Sequence, residues 1–270
     1  MIRANLHTHT TYCDGQSTVA ETVAAAGRLG FTALGFSGHS FLALDEPRYW
    51  MTPEDTLRYR RDVLAAKATA EQTEIYLGLE RDIESPDDGY SYDFVIGSVH
   101  HLTKDGRVFS VDETPKALET AAKELYGGDF LALCRDYYDR VADVVTVTGC
   151  DIVGHFDLVT KFNEKGGYFD EDSTAYRRMA LDALDALTKK APFFEVNTGA
   201  IARGHRSLPY PAPFLMRELK DRGARLVLGS DCHKASMLDF GFALAEDYIR
   251  SFGFSSVWTL SGGNWTEIPL

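Results

Sequence analysis

Apolar residues gather along the chain in seven runs of strand length: 2–8, 32–38, 74–80, 93–99, 150–156, 193–199 and 225–231. Helix-like patterns fill the intervals between them. Residues 19–30 are Ala-rich and end at Gly30, a residue suited to the left-handed turn that closes a helix. Thr52 precedes Pro53, with Asp55 in the first turn; this reads as an N-cap, a proline at N1 and a helix running to about residue 73. Residues 114–126, 129–147, 172–190 and 213–222 also read as helices, the last closed by Gly223. The 114–126 and 129–147 pair makes the longest insertion between strand candidates. Strands alternating with helices predict parallel βαβ units. Seven such strands predict a closed or nearly closed α/β barrel, with a doubly wound open sheet as the alternative. Residues 255–270 read as an extra strand or hairpin. No linker or internal repeat interrupts the pattern, so residues 1–270 are expected to form a single domain.

Composition narrows the choice of partner. The chain has 270 residues, 44% of them hydrophobic, which suffices for a sizeable core. A net charge of −12 repels polyanions, so long nucleic acid is not an expected partner. No run of 18 apolar residues exists, and the first ten residues lack an apolar signal core, so neither a membrane span nor a secretory signal is expected. Cys13, Cys134, Cys150 and Cys232 are widely spaced and form no CxxC, which fits reduced thiols in a cytoplasmic protein.

The placement of histidines and acids carries the chemistry. His7 and His9 end the first strand candidate, His39 the second and Glu80 the third. His100 follows the fourth, His155 lies near the end of the fifth, and Asp231 with His233 ends the seventh. In a parallel barrel all strand C-termini share one face, where active sites are built. Six of the eight histidines are thus expected there, with His101 or His205 as a seventh. The HxH at 7–9 and the DxH at 231–233 each put both side chains on one face of an extended strand. A lone histidine is more often a hydrogen-bonded core residue, and a strand-end glutamate more often a salt-bridge partner; the joint placement points to metal. Imidazole with carboxylate suits Zn, Fe or Mn. There are more ligands than one tetrahedral site needs, so at least two ions are implied. Paired ions sharing a carboxylate such as Glu80 can activate water and clamp a displacement at phosphorus.

The motifs HTHTTYCDG, GHS, GLERD, GSVHH, GHFD and GSDCH, in that order from His7 to His233, resemble the polymerase and histidinol phosphatase (PHP) superfamily. The resemblance implies a distorted (β/α)7 barrel with a trinuclear metal centre at the C-terminal face of the strands. By motif, one ion would take His7, His9, Glu80 and Asp231, a second Glu80, His100 and His155, and a third Asp14, His39 and His233. Some members carry histidine at the position of Asp14, which otherwise reads as a turn residue before Gly15.

The chain's size and the stretch EVNTGAIARG (195–204) resemble the monofunctional histidinol-phosphate phosphatases. That implies hydrolysis of L-histidinol phosphate in histidine biosynthesis, by a metal-bridging hydroxide with no phosphoenzyme. Glu80, Arg203 and His205 are the catalytic candidates: Arg203 as a planar fork for phosphate, His205 as proton donor to the leaving alkoxide. Arg203, His101, Arg206 and Lys161 are the substrate-binding candidates. His101 is expected to point away from His100, into the pocket or against the ligands, and Asn197 either faces the site or holds its loop. Cys13 and Cys232 flank ligand positions and read as packing residues. The aromatic and charged stretch 44–62 reads either as a pocket wall or as helix packing. Competing readings are a nucleotide phosphatase or oligonucleotide exonuclease of the same superfamily, an amidohydrolase, and a metal-stabilised binding module. The late DxH and Glu80 fit an amidohydrolase poorly.

Overall fold

The computed structural model describes residues 1–44, 49–191 and 193–270. In chain order, the first elements are β1 (Ala4–Asn5), α1 (Val19–Leu29), β2 (Ala33–Phe36), α2 (Pro53–Thr69), β3 (Glu74–Asp82) and β4 (Phe94–Ser98). A side hairpin, β5 (His101–Lys104) and β6 (Arg107–Ser110), then leads into α3 (Pro115–Tyr126) and α4 (Phe130–Thr148). Next come β7 (Ile152–Val153), a 3-10 turn (Leu158–Thr160), α5 (Asn163–Gly166), α6 (Thr174–Leu187), β8 (Phe193–Asn197), α7 (Gly199–Ala202), α8 (Pro213–Asp221) and β9 (Leu226–Gly229). A second 3-10 turn (Ala235–Met237), α9 (Phe242–Ser251) and the hairpin β10 (Ser256–Ser261) with β11 (Asn264–Pro269) complete the chain.

All seven apolar runs hold a strand, and the seven pair in parallel in the order β1-β2-β3-β4-β7-β8-β9. Residues such as Leu34, Ile96 and Leu228 are buried because helices cover the outside while side chains fill the inside. The open-sheet alternative is set aside by the way the ends meet. His9 N–H donates to the Cys232 carbonyl at 2.8 Å and Cys232 N–H to that of His7 at 3.1 Å, forming a parallel bridge between Thr8 and Cys232. Below this bridge a buried side chain spans the gap. Asn5 Nδ2 donates to Ser230 Oγ at 2.6 Å and to the Leu238 carbonyl at 3.0 Å. The barrel is therefore nearly closed.

The helices start and stop where local chemistry directs. Thr18 and Thr52 form capping boxes with Glu21 and Asp55, and Gly30 takes the left-handed conformation at φ 70°. The helix at Pro53 stops at Thr69, short of residue 73. Helix α6 occupies 174–187, within the expected 172–190. The C-terminal residues form the expected hairpin. Its Trp265 ring lies 4.1 Å from that of Phe193, at the start of β8, so it covers the end of the barrel opposite the ligand face. Among the described residues no helix is long and apolar enough to cross a membrane.

Inside the barrel, glycines make room for one aromatic ring. A Cβ on Gly35 or on Gly78 would lie 2.6 or 2.3 Å from the ring of Phe94. Gly78→Ala is expected to cost about 1–3 kcal/mol by overpacking, read as a lower urea midpoint. Phe94→Leu in the same chain should return part of that loss; a Gly78→Ala protein as stable as the parent would contradict this packing.

Candidate metal centre

The strand ladders run on into the candidate ligand residues. Beyond β2, Glu80 N–H donates to the Gly38 carbonyl at 3.1 Å and Ser40 N–H to that of Glu80 at 2.9 Å, which sets His39 beside Glu80. The bridge between Thr8 and Cys232 likewise sets His7 and His9 beside Asp231. Asp231 itself holds φ 50°, a left-handed conformation costly for a residue with a Cβ and frequent at functional sites.

Four overlapping groups of ligand atoms result: His9–Asp14–His39–His233, His7–Glu80–His155, His7–His9–Asp231 and His39–Glu80–His100. Within each group the atoms lie inside 4.8 Å of one another. All nine residues expected as ligands fall in these groups, but the partition differs in detail. His9 also reaches the Asp14 group, and His39 Nδ1 stands 3.0 Å from Glu80 Oε2. His233 Nε2 lies 3.0 Å from Asp14 Oδ2, so the turn after His9 does bring Asp14 back to the cluster. Gly15 permits that turn, since a Cβ there would sit 2.5 Å from the Thr10 nitrogen.

A second layer of acids orients the imidazoles. Glu195 Oε1 is 2.6 Å from His7 Nδ1. Asp82 Oδ2 accepts the His100 N–H at 2.9 Å and lies 3.3 Å from His100 Nδ1 and 3.2 Å from His101 Nδ1. Sequence reasoning passed over Asp82, yet its spacing from Glu80 on one strand puts both side chains on the same face. His101 does not turn away from His100. The ladder breaks between β4 and β5, and both rings come to the same carboxylate. Burial alone would raise the Asp82 carboxyl, but the hydrogen bonds from His100 and His101 hold it below the usual range.

A cavity of about 190 Å³ opens over the cluster. His39, His100, His155, Asp231 and His233 form part of its wall, and Trp50, His101, Asp112, Lys161 and Arg203 line it as well. Arg203 Nη2 donates to Asp231 Oδ2 at 2.7 Å, and its Nη1 is 3.2 Å from His233 Nδ1. Lys161 is held by the Asp112 carboxylate at 2.9 Å. The structure does not bring His205 or Arg206 to this wall. The His205 ring stands edge-on against Phe162 at 5.0 Å. Arg206 is buried over the Tyr210 ring and donates to Thr160 Oγ1, because the chain turns at Gly204 (φ 70°) and carries it past the cavity. Asn197 holds the loop: its Oδ1 accepts the Gly199 N–H at 2.8 Å. Of the 44–62 stretch, Tyr49 and Trp50 line the cavity and α2 packs on the barrel, while residues 45–48 lie outside the described residues. Cys232 is buried and donates to the Lys234 carbonyl; Cys13 Sγ lies 3.6 Å from Nδ1 of His9, a candidate ligand.

The donor set fits cations. Among the described residues, His7 Nε2, His9 Nε2, Asp14 Oδ1 and Glu80 Oε2 are buried without a hydrogen-bond partner, a costly arrangement unless positive charge shares the space. Burial, with the imidazoles of His233 and His39, pulls His9 down to about 3, so its lone pair is free. His7, His39 and His100 go the other way. Burial would lower them, but Glu195 and Glu80 raise His7, Glu80 and Asp14 raise His39, and Glu80 and Asp82 raise His100. A raised histidine stabilises the metal-free fold below about pH 6.5, its unfolded value, and that contribution fades as pH rises through the folded value. Metal must displace the same protons, so it binds better as pH rises. The difference in melting temperature between metal-loaded and chelated protein is therefore expected to widen from about pH 6 upward. Scanning calorimetry across that range checks it, and a constant or shrinking gap would contradict it.

Comparison with known proteins agrees with this geometry. The PHP domain profile matches residues 5–199. A probable histidinol-phosphatase of Deinococcus radiodurans is 32% identical over 266 residues, covering 93% of this chain and 94% of the relative. Histidinol-phosphatase of Bacillus subtilis is 27% identical over 262 residues, covering 88% and 95%. The crystal structure of histidinol phosphate phosphatase from Lactococcus lactis, complexed with zinc, L-histidinol and phosphate, superposes with a TM-score of 0.74 at 23% identity over 98% of both chains, which shows a shared fold. With the domain profile spanning most of the chain and a near-full-length relative at 32% identity, the protein belongs to the PHP domain family.

Proposed function

We propose that the protein is a metal-dependent phosphomonoesterase that hydrolyses L-histidinol phosphate to L-histidinol and inorganic phosphate in histidine biosynthesis. The observation that carries this reading is the set of overlapping buried ligand groups lying at the wall of one cavity beside Arg203. The relatives named as histidinol-phosphatases, aligned over nearly their whole length, support the choice of substrate. So does the Lactococcus lactis complex with L-histidinol and phosphate.

Three divalent ions, Zn, Fe or Mn, would be held by His7, His9, Glu80 and Asp231; by Glu80, His100 and His155; and by Asp14, His39 and His233. When bound, such ions make a water acidic enough to attack phosphorus near neutral pH and offset the charge of the phosphoryl group. The chain supplies the rest. Arg203 is permanently charged, is fixed by Asp231, and presents its remaining N–H groups where phosphate oxygens would gather negative charge. Lys161 adds a second cation at the cavity wall, its position set by Asp112. His101 is the wall imidazole outside the four ligand groups, which favours it over His205 for contact with the substrate.

Phosphate release from L-histidinol phosphate is expected to exceed that from nucleotides and from an aryl phosphate, and to vanish on chelation. Faster release from a nucleotide would move the protein to another branch of the family. Arg203→Ala is expected to lower kcat/KM by about 10²–10³. No residue should become phosphorylated during turnover; a trapped phosphoenzyme would overturn attack by water.

A further inference from the structure

Glu195 lies outside every ligand group, yet it is 1% exposed and touches two of them. Its Oε1 stands 2.6 Å from His7 Nδ1. Its Oε2 accepts the backbone N–H of His155 at 3.0 Å and Asn197 Nδ2 at 3.0 Å. An ionised carboxylate only accepts hydrogen bonds, so the proton of a neutral His7 must sit on Nδ1. The lone pair is then on Nε2, which lies 3.2 Å from Glu80 Oε2 and 3.7 Å from Asp231 Oδ1. The backbone is built to admit this carboxylate. Asn197 pairs with Gly229 across β8 and β9, and a Cβ on Gly229 would come within 2.1 Å of Glu195 Oε1.

We infer that Glu195 is a positioning residue that fixes the tautomer of His7 and, through the His155 backbone, aligns two of the metal-ligand groups at once. The inference rests on the metal-centre reading above. Glutamine at 195 cannot reproduce the arrangement, because it offers one acceptor oxygen where three donors converge. Either its NH₂ faces His7 Nδ1, shifting the His7 proton to Nε2 and blocking the ligand, or it faces the His155 and Asn197 donors. Asn197 extends the link to the arginine loop. Its backbone pairs with that of Tyr210 at 3.0 Å in both directions, closing the base of the segment that carries Arg203.

The test is zinc binding by the purified full-length chain, read as Zn²⁺ per chain and as affinity in competition with a chromophoric chelator. Glu195→Gln is expected to weaken the zinc held through His7 and His155 by about 10- to 100-fold. Zinc on the Asp14, His39 and His233 group should remain, so stoichiometry falls without reaching zero. Gly229→Ala, which presses on the carboxylate without changing its charge, is expected to give the same partial loss. Tyr138→Phe removes one hydroxyl of the buried Tyr138–Tyr176 pair (2.7 Å) between α4 and α6, neither of which belongs to a ligand group. It serves as the control for lost stability and should bind zinc as the parent does. Parental stoichiometry and affinity in both Glu195→Gln and Gly229→Ala would overturn the inference. A parent chain that binds no zinc, iron or manganese would overturn instead the metal-centre reading beneath it.

Discussion

One buried carboxylate organises this molecule. Glu80 is 1% exposed and has five imidazoles around it. His7, His9 and His39 stand 3.2, 3.4 and 3.0 Å from its Oε2, and His100 and His155 stand 3.3 and 2.9 Å from its Oε1. No pattern of hydrogen bonds can satisfy so many nitrogens around two oxygens when the same nitrogens also face one another. Such a cluster costs folding energy unless cations enter it. That cost explains the second layer: Asp82, Glu195 and Ser98 each hold a member of the cluster in place. It also explains why the cluster sits at the strand ends. There, short loops from every strand can contribute one or two side chains, while the ladders beneath keep those side chains from relaxing apart.

Much of this was legible in the sequence, for a definite reason. Parallel strands buried on both faces read as unbroken apolar runs, and a ligand placed just after such a run must lie on the common face. Hence His7, His39, Glu80, His155 and Asp231 could be placed together without knowing any distance. What stayed hidden depended on breaks in that regularity. The hairpin β5–β6 was missed, although Asp105–Gly106 between its strands is a turn signal; those residues hold φ 49° and 75°. The gap before that hairpin is also what lets His100 and His101 share Asp82. His205 and Arg206 were drawn toward the site by their nearness to Arg203 in sequence. Direction after a left-handed glycine cannot be read from spacing: past Gly204, His205 settles on Phe162 behind Lys161, and Arg206 packs over Tyr210.

Closure of the barrel and assembly of the site share residues. The first and last strands share no ladder. They meet through Asn5, which reaches Ser230 and Leu238, and through the backbones of His7, His9 and Cys232. Of these six residues, His7 and His9 are candidate ligands, and Ser230 and Cys232 flank a third, Asp231. Loss of positive charge from the cluster would load its repulsion onto this seam, the weakest join in the ring. The strained φ of Asp231 sits at the same place, held by Arg203 on one side and the bridge on the other.

This arrangement gives Arg203 two masters. Its guanidinium balances Asp231 from the cavity side while the imidazoles of His7, His9 and His233 face the same carboxylate. A phosphate arriving in the cavity would compete for that guanidinium. The competition is tolerable only if another positive charge compensates Asp231 from the cluster side. Substrate anion and metal cation would then support one another: an ion beside Asp231 would free donors of Arg203, which could hold the anion. On the proposed reading, a carboxylate shared between an arginine and a metal group would tie phosphate affinity to metal occupancy.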